Sequence, residues 1–197
     1  YFPEQGRRQY LTGLKMGGER ILILVDSSAS MLADRIINVL RFRNLPAEKR
    51  VRAAKWQQVI HTVSWITAHI PPTSKFQVYV FNETSAPAHT EVSGRWLDAD
   101  NVKHLDSVIS SFYSTVPANG TNLYNAFKSI DELTPPPDNI YLLTDGLPTQ
   151  GESGPFNSKI SAKERKKLFD KALKKLPLNV PVNIILFHME GDPDASS

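Results

Sequence analysis

The chain has 197 residues, of which 41% are hydrophobic and 22% are charged, a composition typical of one globular domain. Its net charge of +3 is too small to indicate a nucleic-acid partner, and the absence of cysteine excludes disulfides, thiolate nucleophiles and thiolate-bound metals. No apolar run approaches the roughly 20 residues that span a bilayer. Because the chain begins with Tyr1 rather than Met, we expect a segment of a longer protein, with room for a signal peptide or membrane anchor outside it.

The first part of the chain predicts a lead-in, one buried strand and two helices. Residues 1–19 are polar, contain scattered glycines and predict a linker. Residues 21–25 form a continuous apolar run, which is typical of a strand buried on both faces. Apolar residues at helical spacing predict helices over 31–43 and 48–70. Pro46 separates the two helices, because proline disfavours helix in the preceding residue.

The middle of the chain predicts a second strand and two further helices. Alternating apolar residues predict a strand over 75–82, followed by a short edge strand over 86–92. A helix is predicted over 100–111. The pair Asn119-Gly120 predicts a loop, and a helical pattern resumes over 122–133.

The last part of the chain repeats the order of strand, loop, helix and strand. Residues 140–143 predict a buried strand that leads directly to Asp145. A long polar loop is predicted over 146–158, beside that aspartate. An amphipathic helix over 161–176 and a final strand over 180–189 complete the pattern.

Strands alternate with helices over residues 20–190, which predicts a single domain between a lead-in at 1–19 and a polar tail at 191–197. The alternation requires crossover connections between neighbouring strands. We therefore predict an α/β fold that is Rossmann-like and doubly wound, with a mostly parallel central sheet and helices on both faces.

Two predicted strands end directly in an aspartate, namely Asp26 and Asp145. Ligands of open parallel sheets bind beyond the carboxyl ends of the strands, so both carboxylates are expected at the same edge. Asp26 opens the run Asp-Ser-Ser-Ala-Ser, in which turn geometry lets Ser28 and Ser30 point toward the same space. Oxygen ligands that include few carboxylates suit a hard cation such as Mg²⁺, Mn²⁺ or Ca²⁺.

Each of these motifs also has a purely structural interpretation. The run 26–30 contains residue types that cap the helix after a strand, and Asp145-Gly146 is an ordinary turn signal. Thr121, directly after Asn119-Gly120, is a candidate helix N-cap. The three motifs nevertheless occur together and in order, each at the appropriate end of its element, and this favours a metal site.

Three segments resemble the metal-ion-dependent adhesion site of the von Willebrand factor A family. Residues 26–31, Asp-Ser-Ser-Ala-Ser-Met, resemble its first motif. Residues 119–123, Asn-Gly-Thr-Asn-Leu, are similar to the segment that holds the site's threonine. Residues 140–146, which end in Leu-Thr-Asp-Gly, resemble the strand that supplies the last aspartate. The resemblance covers about residues 20–190 and retains all five metal-site positions.

The resemblance implies a role for each of these five positions. Ser28, Ser30 and Thr121 would offer hydroxyl oxygens to a divalent cation, with Mg²⁺ expected first and Mn²⁺ or Ca²⁺ as alternatives. Asp26 and Asp145 would bind the cation directly or through water and orient the hydroxyls. Because few charges contact the ion, it would stay electrophilic and accept an acidic side chain from a protein partner. The substitution Asp145→Ala is then expected to abolish ion binding and leave the fold largely intact.

Two features depart from the family pattern. Residues 41–49 look like an insertion that splits the first helix, and residues 190–197 are too short for the helix that normally follows the last strand, so a truncated C-terminal helix is expected. The basic stretches 41–55 and 163–175 are interpreted as solvent-exposed surface, with contact to an acidic partner or lipid headgroup as the alternative.

The family resemblance implies a non-enzymatic module for adhesion or scaffolding that binds protein and not nucleic acid. A subunit of a metal chelatase or an ATPase-linked remodelling complex is the alternative, which linked domains in the full-length protein would distinguish. A hydrolase is disfavoured, because the sequence lacks Gly-x-Ser-x-Gly and a matching histidine motif. The linker style favours a bacterial envelope or periplasmic protein with an upstream anchor, and a cytoplasmic location is the alternative.

Overall fold

The structure, a computed structural model, describes residues 16–89, 93–152 and 160–190. Most of the predicted lead-in, the predicted tail at 191–197 and part of the predicted loop at 146–158 lie outside the described residues. The predicted edge strand at 86–92 falls only partly within them.

The strands that pair in parallel are separated along the chain by helical segments, as the sequence predicts. The strands are β1 (Arg20–Asp26), β2 (Lys75–Phe81), β3 (Ser85–Pro87), β4 (Leu97–Asp98), β5 (Asn139–Thr144) and β6 (Val182–Leu186). The helices are α1 (Ile36–Phe42), α2 (Ala47–Val51), α3 (Ala54–Ala68), α4 (Val102–Phe112), α5 (Leu123–Lys128) and α6 (Ala162–Leu173). Short 3₁₀ turns occupy Ala29–Leu32 and Ser129–Glu132.

The strands form one mixed, mostly parallel sheet in the order β3-β2-β1-β5-β6, and β4 also pairs with β2. Strand β1 lies parallel to both β2 and β5, and β5 lies parallel to β6. The chain therefore leaves β1 toward one side of the sheet and later returns to its other side. This reversal at β1 is the point at which open α/β sheets bind their ligands. The predicted α/β fold class is confirmed.

Both faces of β1 are buried, which explains its continuous apolar sequence. Ile21, Ile23 and Val25 pack on the face covered by α3 and α4, and they are completely buried. Leu22 and Leu24 point to the opposite face and pack against α5. Burial of one such side chain contributes roughly 1.5–3 kcal/mol, so β1 is held firmly from both sides and its carboxyl end has a fixed position.

The two predicted helices after β1 are more interrupted than their apolar patterns indicate. The predicted helix over 31–43 is a 3₁₀ turn followed by α1, because the chain is extended at Ala33 and Arg35. The predicted helix over 48–70 is divided into α2 and α3 by Ala53, which has φ −57° and ψ 134°. Helix α2 has no buried residue, whereas α3 buries one side against the sheet, so the break separates a surface helix from a core helix.

In the predicted helices over 100–111 and 161–176, helical spacing predicts that Val102 and Leu173 face inward, but the structure exposes both. Val102 is 65% exposed at the start of α4, and Leu173 is 41% exposed at the end of α6. Both lie in a terminal turn of their helix. The predicted helix over 122–133 ends at Lys128 and continues only as a 3₁₀ turn. Among the described residues, no helix combines the length and the apolar character needed to cross a membrane.

Candidate metal centre

The carboxylate of Asp26 lies at the carboxyl end of β1 and is completely buried. The main-chain N–H of Ser28 donates to its Oδ1 at 2.8 Å, and the hydroxyl of Thr144 donates to its Oδ2 at 2.8 Å. Val25 pairs with Leu143 in the β1–β5 ladder, which brings the ends of both strands side by side. One carboxylate therefore organises both neighbouring segments of the site.

The hydroxyls of Ser28 and Ser30 connect Asp26 to the second aspartate. After β1 the chain enters the 3₁₀ turn Ala29–Leu32, and this turn brings the two serine hydroxyls to 2.8 Å from each other. The hydroxyl of Ser30 donates to Oδ1 of Asp145 at 2.9 Å. Four of the five residues predicted as metal ligands are thus joined by a continuous set of hydrogen bonds.

Thr121 is joined to this cluster through the main chain of its loop. The N–H of Ala29 donates to the carbonyl of Asn119 at 3.0 Å, and the N–H of Ala118 donates to the carbonyl of Ser27 at 2.9 Å. The Thr121 carbonyl accepts from the N–H groups of Thr149 and Gln150, while its own N–H donates to the Thr149 hydroxyl at 3.0 Å. The loop after β5 therefore holds Thr121 from the other side.

Two residues give this loop its shape. Asn119 has φ 66°, a left-handed conformation that asparagine tolerates better than most residues. A Cβ on Gly120 would lie 2.7 Å from both the Thr149 Oγ1 and the Gln150 Nε2 atoms. The Gln150 amide donates to Glu83 Oε1 at 2.7 Å, and the Thr149 hydroxyl accepts from the Thr121 N–H at 3.0 Å, so hydrogen bonds hold both side chains in place. The close approach of the two loops explains Gly120, and the left-handed backbone explains Asn119.

Lys55 enters the site from the first turn of α3. Its ammonium lies 2.7 Å from Oδ2 of Asp145, and the side chains of the pair are only 1% and 6% exposed. The basic composition of residues 41–55 predicts solvent-exposed surface, and for Lys55 this prediction is wrong. A signal was present: Lys55 shares the α3 face of Val59, Val63 and Ile66, all buried, and a lysine on an apolar face requires a buried partner.

Burial dominates the electrostatics of Asp26. Desolvation, followed by the nearby charge of Asp145, raises the pKa of Asp26 from 3.8 to about 7, although hydrogen bonds from Ser28 and Thr144 oppose the shift. A raised pKa means that the protein alone stabilises the ionised form of this carboxylate poorly. A cation held at this edge would favour ionisation, so the buried carboxylate is suited to a metal ion.

The donor set contains only oxygen atoms. Over the described ranges, no group of three or more histidine, aspartate or glutamate side chains could hold a metal ion. A cation at this edge must therefore use hydroxyl oxygens in addition to the carboxylates of Asp26 and Asp145. Hard divalent cations accept such oxygen ligands, whereas soft metals prefer sulfur and imidazole. The residues present fit Mg²⁺, Mn²⁺ or Ca²⁺.

No protein-family model matches this sequence, and no curated protein is significantly similar to it. Solved structures are similar in fold. The conserved hypothetical protein BatB from Bacteroides thetaiotaomicron is 16% identical with a TM-score of 0.50, and the match covers 86% of this chain and 66% of that chain. A von Willebrand factor type A protein from Catenulispora acidiphila is 14% identical with a TM-score of 0.53, over 86% of this chain and 39% of that chain.

A mutant of the PilB minor pilin from Streptococcus sanguinis is 14% identical with a TM-score of 0.57, over 89% of this chain and 52% of that chain. This chain thus spans 39% to 66% of the lengths of these three proteins. Identities this low establish the fold alone. Together with the strand order around β1, they show that the chain has the von Willebrand factor A-type fold that its sequence motifs predict.

Proposed function

We propose that this domain is a non-enzymatic interaction module that binds a divalent cation through Asp26, Ser28, Ser30, Thr121 and Asp145. Mg²⁺ is the cation we expect first, with Mn²⁺ and Ca²⁺ as alternatives. The observation that carries the proposal is the continuous set of hydrogen bonds from Asp26 to Asp145 through Ser28 and Ser30, with Thr144 donating to Asp26, at the carboxyl edge of the sheet.

The arrangement of these residues supports a site that is organised before the ion arrives. Ser28 is 1% exposed and Asp145 is 5% exposed, so both side chains are already desolvated before an ion binds. Asp26 fixes the turn that carries Ser28, and Asp145 fixes the hydroxyl of Ser30. Partners of this kind, which orient metal ligands, commonly change metal affinity by 10-fold to 100-fold when they are removed.

When bound, the cation supplies a Lewis acid at the edge of the sheet. We propose that an acidic side chain of a protein partner binds there, because the hydroxyl-rich ligand set places few negative charges around the ion. Thr149 and Gln150 lie in the loop after β5 and hold Thr121, and Gln150 also donates to Glu83 in the turn after β2. The loop after β5 and the turn after β2 would therefore border the position where such a partner approaches. Loops of this kind supply the shape that selects a partner.

Titration calorimetry of the metal-stripped domain with Mg²⁺, Mn²⁺ and Ca²⁺ tests the cation site. We expect one ion per chain for the wild type and a loss of at least tenfold in affinity for Ser28→Ala/Ser30→Ala, since two oxygen ligands disappear. Ser107→Ala/Ser110→Ala is the matched control, because it removes two hydroxyls from α4, outside the hydrogen-bonded cluster. The control should bind the ion as the wild type does.

Two results would contradict the proposed site. If the wild-type protein is folded, as judged by circular dichroism, and binds none of the three cations, the proposed cation site is refuted. Equal ion affinity in the Ser28→Ala/Ser30→Ala variant and the control places the ion elsewhere. If the site is correct, binding of acetate to the ion-loaded protein, and its loss after chelation, tests the capture of a carboxylate.

A further inference from the structure

Lys55 provides a positive charge inside the proposed metal centre. Its ammonium donates to Oδ2 of Asp145 at 2.7 Å, to the carbonyl of Ser30 at 3.2 Å and to the carbonyl of Ala33 at 3.4 Å. Three acceptors match the three N–H donors of an ammonium group, so the side chain is fully satisfied although it is almost completely buried. The interaction ties α3 both to the serine-bearing turn and to the end of β5.

The ammonium also changes which oxygens of Asp145 are available. Oδ1 accepts from Ser30 and Oδ2 accepts from Lys55, so each oxygen already has a donor. Each oxygen can accept a second partner, but a cation that binds Asp145 directly would lie close to the Lys55 ammonium and be repelled by its charge. Lys55 therefore opposes direct coordination of a cation by Asp145 through its positive charge.

The charges of the site make the consequence explicit. When ionised, Asp26 and Asp145 carry two negative charges, and Lys55 returns one positive charge, which leaves one net negative charge before an ion binds. A divalent cation then makes the loaded site positive by one charge. If Lys55 were neutral, the same loaded site would be electrically neutral.

We propose that Lys55 sets the charge of the metal centre: its ammonium weakens retention of the cation and keeps the loaded site net positive, which favours a partner's carboxylate. This inference rests on the proposed function, because it assigns Lys55 a role toward the same cation and the same carboxylate. Lys55 is a positioning and charge-setting residue and not a ligand.

A purely structural role for Lys55 has a different signature. If the ammonium only held the turn and β5 together, its loss would disorder the ligands and weaken the binding of both the cation and the carboxylate. If it sets the charge, its loss must move the two affinities in opposite directions. Charges a few ångströms apart in a partly buried site interact strongly enough for effects of about tenfold.

The test compares wild type, Lys55→Gln, Lys55→Met and the control Lys75→Gln by titration with Mn²⁺, followed by titration of each Mn²⁺-loaded protein with acetate. Gln keeps a donor toward Asp145, and Met keeps the apolar stem. Lys75 is the matched control, because it pairs with Asp98 at 3.0 Å while its side chain is 53% exposed. Electron paramagnetic resonance measures free Mn²⁺, and water-proton relaxation reports the displacement of water by acetate.

We expect both Lys55 variants to bind Mn²⁺ at least about tenfold more tightly than the wild type and the control, and to bind acetate at least about threefold more weakly. Equal or weaker Mn²⁺ binding in a folded variant overturns the inference. Tighter Mn²⁺ binding with unchanged acetate binding overturns the part of it that concerns the partner.

The same data separate this inference from the proposed function. If only the Lys55 variants bind Mn²⁺, Lys55 suppresses ion binding as inferred and the native cation site is refuted. If no protein binds Mn²⁺, both are refuted. A variant that folds only with Mn²⁺ supports the inference, since the ion then replaces the ammonium, whereas variants that stay unfolded in saturating Mn²⁺ overturn it.

Discussion

The ion pair between Lys55 and Asp145 predicts strong energetic coupling in the metal-free protein. The perturbation is a double-mutant cycle of Lys55→Met, Asp145→Asn and the combined variant. Each single change leaves one buried charge without its partner, because the side chains of the pair are 1% and 6% exposed. The combined variant leaves no unpaired charge in this place.

The magnitude follows from the cost of isolating a buried charge. Breaking a buried pair by removing one partner costs about 3–5 kcal/mol, whereas replacing both partners by groups of similar size is often close to neutral. We therefore expect each single variant to lose about 3–5 kcal/mol of unfolding free energy, and the double variant to lose far less than the sum of the two losses. A typical domain is stable by only about 5–15 kcal/mol, so the single variants should be marginal.

Urea denaturation in the presence of a chelator measures the cycle. The exposed pair of Lys75 and Asp98 is the matched control, since its side chains are 53% and 56% exposed at a distance of 3.0 Å. Its cycle should give a coupling of at most about 1 kcal/mol, as for other surface pairs. Equal coupling in the two cycles, or additive losses for Lys55 and Asp145, would refute the argument from burial.

This prediction revises what the sequence alone indicates for Asp145. The family resemblance implies that Asp145→Ala abolishes ion binding and leaves the fold largely intact. The structure shows that Asp145 also neutralises a buried ammonium. The ion affinity of Asp145→Ala must therefore be compared with that of Asp145→Ala/Lys55→Met, in which no buried ammonium is left unpaired. Only a loss that both variants share can be assigned to the missing ligand.

Three further predictions concern single residues of the site. Thr121→Ala should weaken Mg²⁺ binding at least tenfold, which corresponds to about 1.4 kcal/mol. The urea midpoint should change little, because main-chain hydrogen bonds hold this loop. Thr121→Ser should bind Mg²⁺ as the wild type does, and an equal loss of affinity in both variants would contradict the role of the hydroxyl. Gly120→Ala should weaken ion binding measured by calorimetry, because the Cβ of the new alanine would lie 2.7 Å from the hydrogen-bonded Thr149 Oγ1 and Gln150 Nε2 atoms. Unchanged ion affinity would show that the loop of Gly120 and the loop after β5 separate freely. Because the pKa of Asp26 is raised to about 7, the metal-free folded state holds a proton that the unfolded chain releases above pH 3.8. The free energy of unfolding should therefore fall between about pH 4 and pH 7 by up to about 1.4 kcal/mol per pH unit, and Asp26→Asn should remove this slope; equal slopes in the two proteins would contradict the shift.

The fold and the grouping of the site residues could be predicted because strand ends carry most of the information. A buried strand reads as an apolar run, so its last residue is easy to locate, and Asp26 and Asp145 both follow such runs. Once the sheet is parallel, topology places their carboxylates at one edge. The hydroxyl positions need only local turn geometry, which the short spacing from Asp26 to Ser30 already restricts.

The helix boundaries were harder to predict, because they depend on what each helix packs against. The apolar pattern over 48–70 continues through Ala53, yet the chain is extended there and α2 stays on the surface. Ala53 is 2% exposed and ends a turn that no local signal marks. Similarly, Val102 has the periodicity of a core residue but lies in the first turn of α4 and is 65% exposed.

The role of Lys55 could not be predicted from its neighbours in the sequence, because it depends on an ion pair with Asp145, which lies 90 positions away. As part of a basic stretch it looks solvated, and only its position on the apolar face of α3 indicates burial. Its single ammonium both binds Asp145 and lowers the negative charge of the site. The ammonium therefore raises the stability of the metal-free fold and lowers the affinity for the ion. Any substitution that frees Asp145 for a cation removes a bond that holds the end of β5 to α3. The protein can therefore gain ion affinity at this position only by losing stability in the metal-free state. The double-mutant cycle of Lys55 and Asp145 measures the loss of stability, and the Mn²⁺ titrations of the Lys55 variants measure the gain in ion affinity.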